Sequence, residues 1–167
     1  MMEMRLKEFA LRLATVEDIA LILDFIKELA EYEHMSDQVV ATPELLQDTI
    51  FVQKKAEVVI AEYQNRPVGF ALFFHNYSTF LGRPGIYLED LYVKEEMRGK
   101  GLGTQILAYL ANLATERGCG RLEWACLDWN EPSIQFYQSM GAVPMNEWTV
   151  YRLQGEALRN MAIRTIE

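Results

Sequence analysis

The chain has 167 residues, half of them apolar, and carries a net charge of −8. That length suits one domain, residues 1–167, with a real core, and the apolar share excludes a disordered chain. The acidic balance disfavours a nucleic-acid partner, which needs a basic footprint, and is compatible with a cationic ligand.

The chain opens Met1-Met2-Glu3-Met4, followed by charges at Arg5, Lys7 and Glu8, and lacks the apolar core of a secretory signal. Phe9 to Ala14 alternates as a first strand. Thr15-Val16-Glu17-Asp18 reads as a helix cap, and the helix it opens runs to about Tyr32 with Ile19, Ile22, Leu23, Ile26, Leu29 and Ala30 on one face. The stretch from Glu31 to Asp37 is a loop, either solvated or lining a pocket with its acids and aromatic ring. Thr42-Pro43 caps and starts a second helix that fades near Lys54.

Glu57 to Tyr63 and Pro67 to Tyr77 form an antiparallel hairpin around Gln64-Asn65-Arg66. Ser78 to Gly85 is a loop, and Ile86 to Val93 the next strand. Alternation points Leu88, Asp90 and Tyr92 one way and Tyr87, Glu89, Leu91 and Val93 the other. Then comes Arg98-Gly99-Lys100-Gly101-Leu102-Gly103-Thr104, a glycine-rich turn leading into a helix that ends near Arg117, with Gly118 as its C-cap. Arg121 to Leu127 is a strand, Glu131 to Ser139 a short helix capped by Asn130, Trp148 to Leu153 a last strand, and Gly155 to Met161 a terminal turn or helix. The order suggests a mixed, mostly antiparallel sheet with helices on both faces.

The strand–glycine turn–helix unit carries the clearest chemistry. Glycines let a backbone approach a ligand closely, and the first amides of a helix point outward without intrahelical partners, so the turn suits a phosphate or another anion. Its G-x-G-x-G spacing fits neither the Rossmann fingerprint nor the nucleotide triphosphatase loop, in which a lysine follows the last glycine. Glu89 among apolar neighbours is either a general base with a raised pKa or a hydrogen-bonded structural acid. Asp90 fits a structural role or the steering of a cation. Tyr137 is either core or a phenol able to protonate a leaving thiolate. Asn130 and Ser133 either cap their helix or bind a cofactor.

His34 and His75 have no third metal ligand spaced with them, no G-x-S-x-G elbow exists, and no run approaches the ~20 apolar residues of a membrane span. Cys119 and Cys126 form no disulfide framework and read as thiols of a reducing compartment, by default the cytoplasm.

Taken together, Lys27-Glu28-Leu29-Ala30-x-Tyr32-Glu33, Tyr87-Leu88-Glu89-Asp90-Leu91-Tyr92-Val93, Arg98-Gly99-x-Gly101-x-Gly103 and Trp129-Asn130-Glu131-Pro132-Ser133-Ile134-x-Phe136-Tyr137 resemble the GNAT superfamily of N-acetyltransferases. Within it they resemble the diamine (spermidine/spermine) branch. The resemblance implies an acyl-CoA N-acyltransferase fold with a splayed parallel strand pair, Ile86–Val93 and Arg121–Leu127. It implies acetyl-CoA as donor and CoA as product. Leu91, Tyr92, Val93, Arg98, Gly99, Lys100, Gly101, Leu102, Gly103, Thr104, Asn130, Ser133 and Tyr137 would hold the donor. Tyr137 would be general acid, Glu89 the water-mediated base, and Tyr32, Glu33, Glu89 and Asp90 would receive a small cationic amine. It implies a homodimer, while charge and the lack of a long apolar run lead to the expectation of no nucleic-acid and no membrane partner. A peptide N-acetyltransferase and a non-catalytic acyl-CoA sensor of the same fold are the alternatives.

Overall fold

Alternation makes Phe9–Leu13 a strand, and the structure, a computed structural model describing residues 4–6 and 8–164, pairs that strand on both of its edges. Met1–Glu3 and Lys7, part of the charged leading segment, lie outside the described residues. The chain divides into two compact units, Met1–Ala125 and Cys126–Glu167.

The first unit is built on a six-stranded sheet in the order β1-β2-β3-β4-β5-β6. The strands are β1 Met4–Leu6, β2 Phe9–Leu13, β3 Glu57–Tyr63, β4 Arg66–Ser78, β5 Arg83–Val93 and β6 Leu122–Trp124. All pairings are antiparallel except β5 with β6, which is parallel. Gln64 and Asn65, at φ 49° and 62°, close the β3–β4 hairpin as a two-residue turn, so Arg66 already pairs with Tyr63. Left-handed residues at both central positions match the twist of the flanking strands.

Helix α1, Ile19–Tyr32, begins where a 3₁₀ turn at Val16–Asp18 delivers the chain. Asp18 accepts from the Thr15 N–H at 2.8 Å and pairs with the Arg12 guanidinium at 2.8 Å, which ties the cap to β2. Helix α2, Pro43–Leu46, is capped by Thr42, whose Oγ1 accepts from the Leu45 N–H at 3.2 Å, and widens into a π-helical turn over Gln47–Val52. Helix α3 runs Leu102–Glu116.

The core follows from these periods. Ile22, Phe25 and Leu29 of α1 pack with Ile50, Val58, Ile60, Phe70 and Tyr92, and the Phe25 and Phe70 rings stack with centroids 5.5 Å apart. Each fully buried side chain of this kind stabilises the fold by roughly 1.5–3 kcal/mol. Val59, Ala61, Ala71 and Phe73 alternate to the opposite sheet face and are also fully buried, while α3, which buries Ile106 and Leu110, packs on β5 and β6. Helices thus flank both faces.

The second unit contains α4, Glu131–Ser139, and α5, Gly155–Ala162. The strand expected at Trp148–Leu153 is not formed. Trp148, Val150 and Tyr151 are 78%, 85% and 93% exposed, and no strand among the described residues supplies the ladder that an extended segment needs.

Further strand bounds differ from expectation: β4 runs Arg66–Ser78, one residue longer at each end than Pro67 to Tyr77. Strand β5 begins at Arg83 rather than Ile86, because the long β4 continues to Ser78 and Tyr77 and Ser78 pair with Pro84 and Arg83. Strand β6 spans Leu122–Trp124 instead of Arg121–Leu127.

Candidate active site

Three features of β5 place the site. The first is a β-bulge. Leu72 pairs with Asp90 but Phe73 pairs with Leu88, so Glu89 is an extra residue facing no partner on β4. A bulge re-aims the side chains around it. Asp90 thereby shares the face of Leu72, Phe70 and Tyr92, the face covered by α1, whereas Leu88 turns with Phe73 to the other. Simple alternation had put Leu88 and Asp90 together, and the inserted residue is why it failed.

The roles expected of the two acids shift accordingly. Glu89 is exposed, not enclosed among apolar side chains. Asp90 is the enclosed acid: burial first, then the charges of Glu89 and Glu33, push its carboxyl up to about 6. Glu33, at the C-cap of α1, is half-buried and its carboxyl is also raised by burial. Glu33 and Glu89 therefore both bear on Asp90, and the three make an acidic cluster, an environment that a cation relieves.

The second feature is the short parallel pairing. β5 and β6 pair only through Ile86–Leu122, Tyr87–Glu123 and Leu88–Trp124. β6 stops there while β5 runs on to Val93, so the strands part just before the bulge. Glu89 to Val93 keep backbone groups on that edge for which β6 provides no ladder, and such groups take an extended amide-bearing ligand.

The third feature is the turn after β5. Gly99 and Gly101 have φ of 75° and 83°, and an added Cβ at either would meet nothing within 4 Å. Backbone conformation, not crowding, is what demands glycine there. Gly101 is the N-cap of α3, so the Leu102, Gly103 and Thr104 amides open outward beside it. Arg98 and Lys100 add exposed cations. Amides at a helix start, on a turn whose sequence carries two cations, fit an anionic pyrophosphate.

Further side chains are tied into this region. Tyr92 is buried and its hydroxyl donates to Glu28 Oε2 at 2.8 Å, while burial and Glu28 push its pKa up to about 12. Its expected part in holding the donor therefore falls to its backbone. Lys94 Nζ lies 3.8 Å from Glu28 Oε1. The Arg98 guanidinium lies over the Tyr32 ring, 4.6 Å from its centroid, and Arg98 Nε donates to the Val93 carbonyl at 3.0 Å. Neither the Glu28 partnership nor the Arg98–Tyr32 stack was foreseen. Glu28 lies in the Lys27-Glu28-Leu29-Ala30 motif, but nothing local to that motif names a partner 64 residues away.

Asn130, Ser133 and Tyr137 belong to the second unit. The Asn130 side chain, 7% exposed, accepts from the Ser133 N–H at 3.4 Å and caps α4. Pro132 sits in the first turn, where a missing N–H costs nothing. Tyr137 is half-buried, with its ring 5.4 Å from that of Phe136. Among the described residues, no group of three His, Cys, Asp or Glu side chains could hold a metal ion, and no helix is long and apolar enough to cross a membrane.

Known proteins agree with this architecture. The integron cassette protein VCH_CASS6 of V. cholerae superposes with a TM-score of 0.79 at 26% identity, covering 93% of this chain and 98% of that one. A thialysine N-epsilon-acetyltransferase of Bos taurus is 40% identical, over 91% of this chain and 96% of its own length. An L-ornithine N5-acetyltransferase of Arabidopsis thaliana is 31% identical, over 89% of this chain and 86% of its own. The acetyltransferase (GNAT) family model matches residues 22–142, a range that takes in the bulge, the glycine turn and α4. The chain accordingly belongs to the acetyltransferase (GNAT) family, and is an enzyme that takes its acetyl group from acetyl-CoA.

Proposed function

We propose that this enzyme acetylates a primary amine of a small cationic acceptor of the thialysine, diamine or polyamine type. The observation that carries the reading is the acidic cluster of Glu33, Glu89 and Asp90, which a compact cation would neutralise. Relatives named for thialysine and ornithine, both small amino acids with a second amine, support the same class. The whole chain serves as a single acetyltransferase domain.

When bound, acetyl-CoA supplies the thioester that the amine attacks directly. Arg98, Lys100 and the amides from Gly99 to Thr104 hold the pyrophosphate. The backbone of Leu91, Tyr92 and Val93 holds the arm, and Asn130 and Ser133 contribute from the start of α4. Tyr32, Glu33 and Asp90 receive the cationic chain. Holding amine and thioester in register supplies proximity, worth several kcal/mol of the barrier when orientation is good. Glu89, exposed on the bulge, takes the ammonium proton through water, since only the neutral amine is a nucleophile. Tyr137 gives its proton to the departing thiolate.

We further infer a homodimer, a reading supported by the bare apolar segment around Val150, Tyr151 and Leu153. A cytoplasmic location suits Cys119 and Cys126, which form no disulfide.

The test is a coenzyme-release assay with acetyl-CoA against thialysine, ornithine, putrescine, spermidine, lysine and a basic peptide. Saturable turnover with a small amine, at least tenfold lower in Tyr137→Phe with coenzyme affinity retained, is the expected result. Turnover with the peptide alone would move the acceptor to proteins, and tight acetyl-CoA binding without turnover would indicate a sensor.

A further inference from the structure

Arg98 belongs to the donor loop, yet its side chain lies on the acceptor residues. The hydrogen bond from Nε to the Val93 carbonyl, 3.0 Å, holds the guanidinium back along the end of β5. There it stands 4.6 Å from the centroid of the Tyr32 ring and 5.9 Å from that of Tyr92. Tyr32 ends α1 immediately before Glu33, and Tyr92 shares its sheet face with Asp90. One cation therefore covers an aromatic face at the edge of the acidic cluster.

That position suits an alkylammonium for the same reason it suits a guanidinium, because both are attracted to the negative face of the ring. The guanidinium is also the best phosphate ligand in the turn, with donors arranged as a planar fork. An exposed arginine on a turn that breaks at two left-handed glycines has room to exchange one partner for the other.

We propose that Arg98 couples donor and acceptor binding by occupying the Tyr32 face until a pyrophosphate engages it. Before the donor arrives, the guanidinium fills the aromatic face of Tyr32, which opposes a cationic acceptor seated there. When the donor's phosphates engage the guanidinium, its charge is compensated and it leaves the Tyr32 face to the acceptor. The two substrates then favour each other, and linkage makes the factor the same in both directions. The proposal rests on the reading of donor and acceptor sites given under Proposed function. An exposed cation–π contact sets the expected size at about 2- to 5-fold.

Calorimetric titration of the full-length protein tests this, with CoA as a donor that cannot react and thialysine as the amine, spermidine serving as a second amine. The dissociation constant of the amine should fall about 2- to 5-fold when CoA is saturating, and that of CoA should fall by the same factor when the amine is saturating. Tyr32→Phe keeps a ring and should keep the coupling. Tyr32→Leu removes the ring and should bring the factor close to one, so that the amine binds the free enzyme and the CoA complex equally well. A wild-type factor of one, or an unaltered factor in Tyr32→Leu, overturns the proposal, and it does so without touching the functional reading if the wild type still acetylates the amine. Failure of both CoA and the amines to bind the wild type overturns the functional reading and this proposal with it.

Discussion

Asp90→Asn measures the cost of holding a charge at Asp90, set first by burial and then by its acidic neighbours. An aspartate ordinarily titrates at 3.8, and in this fold burial and the charges of Glu89 and Glu33 move Asp90 to about 6. That difference disfavours the ionised folded protein by about 3 kcal/mol, at 1.36 kcal/mol per pH unit. The sign follows from linkage. The folded state holds the Asp90 proton more tightly than the unfolded chain, so folding loses stability as pH rises from about 3.8 to about 6 and carries the whole penalty above that. An asparagine is neutral throughout and escapes it. In urea unfolding, Asp90→Asn should exceed the wild type by up to about 3 kcal/mol at pH 8, by less at pH 5, and by nothing near pH 3.5. The same substitution should raise the KM for a cationic acceptor, because the group that is costly in the free enzyme is the one a cation would satisfy. Equal stabilities at pH 8, or a gain that persists unchanged below pH 4, would refute the assignment of Asp90 as the enclosed acid.

Glu89→Gln should lower turnover far more at pH 7 than at pH 9, where the acceptor needs less help to lose its proton; an equal loss at every pH removes Glu89 as the base. Gly101→Ala places a side chain at φ 83° in otherwise open space, so its cost is backbone strain alone, about 1–2 kcal/mol in chemical unfolding, together with weaker CoA binding. A neutral effect on both would mean the turn adapts without glycine. Paired substitution of Val150 and Tyr151 by Asp should convert a sedimenting dimer to a monomer, since both are among the most exposed apolar residues of the chain. A wild type that is already monomeric would refute the assembly.

Much of this protein is legible from local chemistry. Each element of the glycine turn and α3 is dictated by neighbours in sequence: glycines where φ must be positive, an apolar stripe with helical period, and Gly118 at φ 69° to end it. The α1 cap at Thr15–Asp18, the Thr42-Pro43 start of α2 and the Asn130 cap of α4 were readable for the same reason, because a cap is completed within three residues. The hairpin strand Glu57–Tyr63 was readable at both ends from its turn and alternation.

What tertiary structure decided was register and pairing, which depend on residues distant in sequence. The extra residue at Glu89 exists only relative to Leu72 and Phe73 of β4, and it determined that Asp90, not Glu89, is the enclosed carboxylate. Where β6 stops depends on how far a parallel neighbour can follow a bulged β5, so Arg121–Leu127 could not be trimmed from sequence. Trp148–Leu153 has the composition of a strand but no partner within the described chain, and a strand is a property of the pair. Sequence alone therefore determined the chemical repertoire of the protein and the local shapes that display it. The fold determined which carboxylate is enclosed and which cation stands over which ring, because burial and contact are set by the whole chain at once.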